Sequence, residues 1–272
     1  MINVLQASSW RDVKGHFDDS RESAEFIWRG HGRADWTLSS SLYRYFEAQG
    51  IPSDARRARE AAAVEQFGGP TLAPGPGAVE RRPSMAGLPS MQHHGCPTRL
   101  IDWTWSPYVA SYFVLPDMVE VGAVYGLNLT VYQDFLAPRL PLDDYDGGLL
   151  PSLPDRIFAR FLNTPDLVHP VPIASASHLG RATEQQSVFL LDLSLSDSTE
   201  ALLADLPVPV LIKIEIPRAA RLEIHADLLS MNIDGAHLFP GEAGRALRAK
   251  EWLFGARWHG HSIKTDPVTP WT

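Results

Sequence analysis

The apolar positions of this chain gather into short segments with distinct periods, and these set the expected elements. Phe26-Ile27-Trp28 is aromatic and β-branched and ends at Arg29-Gly30, the pattern of a strand. Gly122 to Tyr132 alternates as a strand does. Val188-Phe-Leu-Leu-Asp-Leu and Val210-Leu-Ile-Lys-Ile-Glu-Ile are the most strand-like runs, the second ending at Pro217, which cannot donate to a ladder. Helices are expected over Trp10 to Phe17, after the Trp36 to Arg44 segment, and over Ala55 to Phe67, which is rich in Ala, Arg and Glu. Trp103 to Leu115 admits a helix with Pro107 in its first turn. Pro154 to Leu162, Arg218 to Met231 and Glu242 to Phe254 complete the helical set.

Glycine and proline punctuate the rest. Gly68 to Gly87 holds four prolines and five glycines and is expected as a long surface loop or flap with no regular structure. Leu140 to Pro172 is broken by Pro, Gly and Asp and is expected to wrap the surface. Asp234-Gly235 marks a turn, and the tail after Trp258 is expected to be loose. Strands and helices in this order imply an α+β fold: a single mixed-sheet domain with flanking helices and one long Pro/Gly-rich loop. The expected layout is a helical lead-in over 1–25, the main domain over 26–250 and a tail over 251–272.

Composition narrows the class of protein. The 272 residues can bury a full core, and 44% are hydrophobic. No run approaches the ~18 apolar residues of a membrane helix. Met1 to Trp10 lacks the basic leader and apolar stretch of a signal peptide, so a cytoplasmic location is expected. Cys96, the single cysteine, cannot form an intramolecular disulfide and fits a reducing compartment. A net charge of −8 argues against broad, non-specific nucleic-acid binding. Arginines still cluster locally, at Arg56, Arg57, Arg59, Arg81 and Arg82, where solvated helix faces are the ordinary explanation.

Three polar islands carry the candidate chemistry. In Trp28-Arg29-Gly30-His31-Gly32, an arginine at a strand end can present its planar fork to a phosphate while the glycine backbone approaches the same anion. In Gln92-His93-His94-Gly95-Cys96-Pro97-Thr98-Arg99-Leu100-Ile101-Asp102-Trp103-Thr104, Arg99 and Asp102 lie three apart. They diverge on an extended segment and meet on a turn. The paired histidines lack further ligands at helical spacing, so no metal is expected and a hydrogen-bonding role for His93 is favoured. Arg181-Ala-Thr-Glu184-Gln185-Gln186-Ser187 precedes a strand, where polar side chains are both exposed and held. Arg29, His93, Arg99, Asp102 and Arg181 are expected to converge on one pocket, with Asp102 fixing its loop by accepting hydrogen bonds from Arg99 or from backbone amides.

Together these segments resemble the FRG domain family, named for a Phe-x-Arg-Gly-like opening, from about Phe26 to about Leu247. Trp28-Arg29-Gly30 with Trp36, Leu38, Ser41, Leu42 and Arg44 is similar to the opening motif. The stretch from Gln92 to Thr104, with Pro107, Ala110, Tyr112 and Phe113, resembles the longest one. Arg181 to Phe189 and Ile214 to Pro240 resemble the later ones. Trp28, His31, His94, Ser187 and Gly241 depart from the usual residues, but Arg29, His93, Arg99 and Asp102 are kept. FRG proteins are largely bacterial or phage proteins, some found with defence or toxin-like genes.

Two main functions follow as expectations. One is an enzyme resembling ADP-ribosyltransferases, taking NAD as substrate. Arg29 and Gly30 would hold the dinucleotide, and His93, Glu184 and Gln186 would serve the reacting ribose, where positive charge develops as the nicotinamide leaves. The other is a non-catalytic module for a nucleotide or a nucleic-acid end, in which Arg29, Arg99 and Arg181 clamp phosphates. A protein-interaction module with a tryptophan-rich surface is a third reading.

Overall fold

The computed structural model describes residues 1–68, 71–72, 82–83, 85–142, 149–150, 155–164, 166–174, 181–253, 256–259 and 262–265. The strands are β1 (Ile2–Gln6), β2 (Phe26–His31), β3 (Thr71–Leu72), β4 (Arg82–Pro83), β5 (Leu100–Thr104), β6 (Val121–Asn128), β7 (Val171–Ala174), β8 (Ser187–Leu191), β9 (Leu211–Pro217), β10 (Ala256–His259) and β11 (Ser262–Thr265). The helices are α1 (Trp10–Ser23), α2 (Ser41–Ala48), α3 (Ser53–Gln66), α4 (Leu88–His93), α5 (Pro107–Val114), α6 (Leu129–Leu136), α7 (Asp155–Leu162), α8 (Arg181–Glu184), α9 (Thr199–Ala204), α10 (Arg221–Ser230), α11 (Gly235–Leu238) and α12 (Glu242–Trp252).

Seven strands form one mixed sheet in the order β1-β9-β6-β2-β5-β8-β7. Among its described strands only β1 and β9 pair in parallel and the other pairs are antiparallel, with an isolated parallel bridge from Leu150 to Ile173 of β7. The fold is α+β, as the sequence implies. Period-two alternation divides the strand residues between two cores. On one face Phe26, Trp28, Val124, Ile214 and Ile216 pack with Trp10 and Phe17 of α1, Val109 of α5 and Ile224 of α10. On the other Ile27, Tyr125, Leu127 and Leu211 pack with Val64 of α3, Tyr132 of α6 and Phe158 and Phe161 of α7.

Local chemistry ends the helices where the sequence invites it. Ser9, Ser40, Ser106, Asn128 and Ser198 each accept a backbone N–H at a helix start, satisfying donors that have no partner within the helix. Ser106 with Pro107 at the first helical position explains a departure from the sequence reading. Trp103 and Thr104 belong to β5, and α5 begins only after that cap.

Other expectations change too. β1, absent from the expected elements, completes one edge of the sheet, so the first 25 residues contribute a strand as well as α1. In the Leu140 to Pro172 region the expected helix forms as α7, but it buries Phe158, Phe161 and Leu162, and β7, which was not expected, closes the other edge. Most of the Gly68 to Gly87 loop lies outside the described residues. Among its described pieces, β3 and β4 pair antiparallel and Met85–Gly87 forms a 3-10 turn, rather than lacking regular structure. β10 and β11 pair antiparallel, so His259 and Ser262–Thr265 of the tail expected to be loose are in strands, and the remainder of that tail lies outside the described residues. No helix among the described residues is long and apolar enough to cross a membrane.

Candidate functional site

β2 and β5 share a single register position, Trp28↔Thr104. Past that point the two strands part, and their backbone groups need other partners. The Asp102 carbonyl of β5 accepts instead from Arg29 Nη1 at 2.6 Å. A cavity of about 1160 Å³ opens at this split, walled by both strands, by α2 and by the side of α5 that carries Ala110 and Phe113. A crevice of about 180 Å³, bordered by Gln92 and the Gly95–Pro97 turn, shares Arg29, Ser39 and Asp102 with it.

Arg29 and His31 are two apart on β2 and so project to the same side of the sheet. Arg29 Nε donates to His31 Nε2 at 3.1 Å, which assigns the ring proton to Nδ1. Burial and the Arg29 charge push His31 down to about 3, so its ring is neutral over the physiological range. Burial also lowers the pKa of Arg29, opposed by Asp102 and reinforced by Arg44. Among the described residues Arg29 makes no ion pair: its two hydrogen bonds go to a neutral ring and a carbonyl. Arg44 of α2 stands on the same wall, donates Nη1 to the Ser39 carbonyl at 2.5 Å, and is likewise lowered by burial. Trp36 and Tyr43 add aromatic surface to the wall, and Trp36 is 44% exposed.

The expected residues distribute unevenly. Arg29, Gly30 and Asp102 do line the cavity. Asp102 differs from expectation in its partners: its carboxylate accepts from Gln92 Nε2 at 2.8 Å, and Arg99 lies elsewhere. Gly30 reaches the wall, yet what demands glycine there is α5, since a Cβ would sit 2.0 Å from the Ala110 carbonyl oxygen.

Arg99 is corrected outright. It is 0% exposed and bound to both carboxylate oxygens of Glu60, with Nη1 donating to the Asp192 carbonyl at 2.7 Å. Leu100 and Ile101 lie in β5, and the strand's alternation carries Arg99 and Asp102 to opposite faces, so they never meet.

His93 ends α4 exposed, off the cavity wall, with its ring edge-on to His94 at 5.2 Å. Glu184 and Gln186 are exposed and also off the wall. Gln186 has a φ of 49°, and its carbonyl accepts from the Trp105 amide. Gln185, between them, is the one that lines the cavity, its Nε2 donating to the Leu238 carbonyl at 3.0 Å. Arg181 opens α8, and its side chain lies outside what is described.

Sequence reasoning passed over His31, Arg44 and Gln185 as functional positions. The signal for His31 was its two-residue spacing from Arg29 on a strand. Arg44 stood in the opening motif, and Gln185 between two chosen neighbours.

The neutral state of His31 has a measurable consequence. Between its unfolded value near 6.5 and its folded value of about 3, the unfolded chain binds a proton that the folded chain refuses. Stability contributed by the neutral ring is complete above the unfolded value and falls as pH drops through that window. From pH 6 to pH 4, urea unfolding should lose on the order of 2 kcal/mol more in the wild type than in His31→Gln. Equal losses in the two proteins would show His31 titrating normally.

The fold and site define an α+β protein whose sheet opens on an arginine-lined, aromatic cavity. Residues 24–121 match the FRG domain family model, and the chain carries an FRG domain. The match takes in the opening segment, the cavity arginines and the Gln92 to Thr104 motif; the Arg181 to Phe189 and Ile214 to Pro240 segments lie beyond it. Neither a curated protein nor a solved structure matches the chain.

Proposed function

We propose that the FRG domain of this protein binds a nucleotide in the cavity at the β2–β5 split, with Arg29 on a phosphate. The observation that carries this reading is a half-buried guanidinium on the cavity wall, its pKa lowered by burial, with no ion pair among the described residues. A cation partly withdrawn from water gains from a compensating anion, and the planar fork of arginine suits a phosphate oxygen pair. Trp36 and Tyr43 offer faces on which a base can stack, a contact worth about 1–3 kcal/mol per base. The cavity volume, about 1160 Å³, accommodates a dinucleotide such as NAD, since small-ligand sites run to roughly 1,000 Å³.

Turnover of NAD, as in ADP-ribosyl transfer, is the second reading, and Gln185 favours it. That side chain stands at the head of β8 on the same wall as Arg29. Binding leads because a glutamine cannot place a full negative charge beside an oxocarbenium-like ribose, and Glu184 lies exposed off the wall. A defence or toxin role through NAD depletion would rest on this second reading.

Calorimetric titration with ADP and NAD, with NAD loss followed in parallel, tests both. Arg29→Ala should weaken binding by about 1.5–3 kcal/mol, the range for a hydrogen bond to a charged group. Arg29→Lys should restore only part of it, because an ammonium cannot reproduce the fork. The ligand-free melting temperature should hold, since Arg29 packs no core. Unfolding of Arg29→Ala, or undiminished binding, would remove Arg29 from the site.

A further inference from the structure

We infer that the ligand of this cavity carries a diphosphate, gripped by Arg29 from β2 and Arg44 from α2. This rests on the nucleotide-binding reading and narrows it to nucleoside diphosphates and dinucleotides joined through a pyrophosphate.

Away from the cavity, the structure shows how this fold treats arginines that it buries. Arg56 pairs with Glu47 and Arg99 with Glu60, both arginines being less than a tenth exposed. The two cavity arginines, Arg29 half-buried and Arg44 exposed to the cavity, are handled otherwise. Each donates one Nη1 to a backbone carbonyl, Asp102 for Arg29 and Ser39 for Arg44, and neither has a carboxylate partner among the described residues.

The wall carboxylates are engaged elsewhere. Asp35 is bound by Arg33 and Glu47 by Arg56, while Asp102 is hydrogen-bonded by Gln92 and acts on Arg29 through its charge without pairing with it. Asp117, packed under Gly32, makes no ion pair with either arginine among the described residues. Arg29 and Arg44 are near enough for their charges to repel, and each is held in place by its carbonyl. Two like charges on one wall, each held by a carbonyl and neither ion-paired among the described residues, are complementary to a ligand with two adjacent anionic groups. One phosphate would satisfy one of them and leave the other uncompensated.

Titration calorimetry at fixed ionic strength should compare AMP, ADP, NAD and inorganic pyrophosphate on the wild type and on Arg44→Gln, with Arg44→Lys retaining charge. The wild type should bind ADP at least about tenfold more tightly than AMP, the scale of one added charge-assisted hydrogen bond. In Arg44→Gln that ratio should collapse toward one, with AMP affinity little changed, and Arg44→Lys should recover part of it. Melting curves confirm that each variant is folded. If AMP binds as well as ADP in the wild type, or if the ratio survives Arg44→Gln, the diphosphate inference is overturned while nucleotide binding stands. If pyrophosphate binds through both arginines and the nucleotides gain nothing over it, the diphosphate site stands and the nucleotide reading falls. Binding by none of the four ligands overturns both.

Discussion

Glu60→Gln should destabilise the protein by about 3 kcal/mol, and Glu60→Ala by up to about 5, the range for removing one partner of a buried ion pair. Arg99 is 0% exposed and Glu60 3%, so the guanidinium left behind cannot reach water. Its remaining protein acceptor is the Asp192 carbonyl, with the Phe158 ring 5.6 Å away, and the charge of Asp192 supports it less than Glu60 does. Burial opposes the Arg99 charge, and Glu60 with Asp192 outweigh it, holding its pKa above the usual value. The pair also ties α3 to the start of β5. Asp192, itself fully buried, accepts from Ser40 Oγ at 2.7 Å and so links this network to the cap of α2. Urea unfolding of Glu60→Gln, Glu60→Ala and the double variant Glu60→Leu/Arg99→Met separates charge from packing. Replacing both partners with apolar groups is often neutral or better, so the double variant should recover most of the loss. A single variant that loses less than about 1 kcal/mol would mean that Arg99 finds water after all.

That network marks where the sequence stopped being informative. A charged residue beside a Pro-bounded segment looks the same whether it faces a ligand or the core. What decides is a carboxylate 39 residues upstream on α3, and nothing in the local pattern of Arg99 points to it. β8 and β9 could be recognised because each buries apolar side chains in a run. β1 could not: its five residues alternate only weakly, and its partner β9 begins more than 200 residues later. Arg29 was recognised from its place at the end of an aromatic strand between small residues. His31 could have been, by the two-residue period of the same strand. Arg44 needed the fold, because α2 is delivered to the wall by a cap on Ser40 and by a backbone bond from Leu42 to the Thr98 carbonyl. His93 was misplaced for a related reason, since the α4 turn directs it outward while Gln92 reaches Asp102.

Gly30→Ala should be the most disruptive single-methyl change near the site, at least about 3 kcal/mol, the upper part of the range for overpacking. An added Cβ would lie 2.0 Å from the Ala110 carbonyl oxygen and 3.1 Å from Val114 Cγ2. The first of these is backbone of α5, which cannot rotate aside as a side chain would. A Cβ on Gly122 of β6 would likewise lie 2.3 Å from Val114 Cγ1, so the end of α5 also sits close on the sheet, and one on Gly32 would lie 2.5 Å from Asp117, just beyond the helix. Relief would require α5 to lift or β2 to shift, and either movement displaces Arg29 from the Asp102 carbonyl. Ligand affinity should therefore fall together with stability, in contrast to Arg29→Ala, where only binding falls. Gly15→Ala is the matched control: that glycine is inside α1 with nothing within 4 Å of its Cβ position. It should stabilise the protein by about 0.5–1 kcal/mol through helix propensity alone. Thermal and urea unfolding of the two variants gives opposite signs if glycine at position 30 exists to seat α5. If Gly30→Ala unfolds like the wild type yet loses its ligand, the glycine instead keeps the backbone clear for the ligand, and Gly30 returns to the list of binding residues.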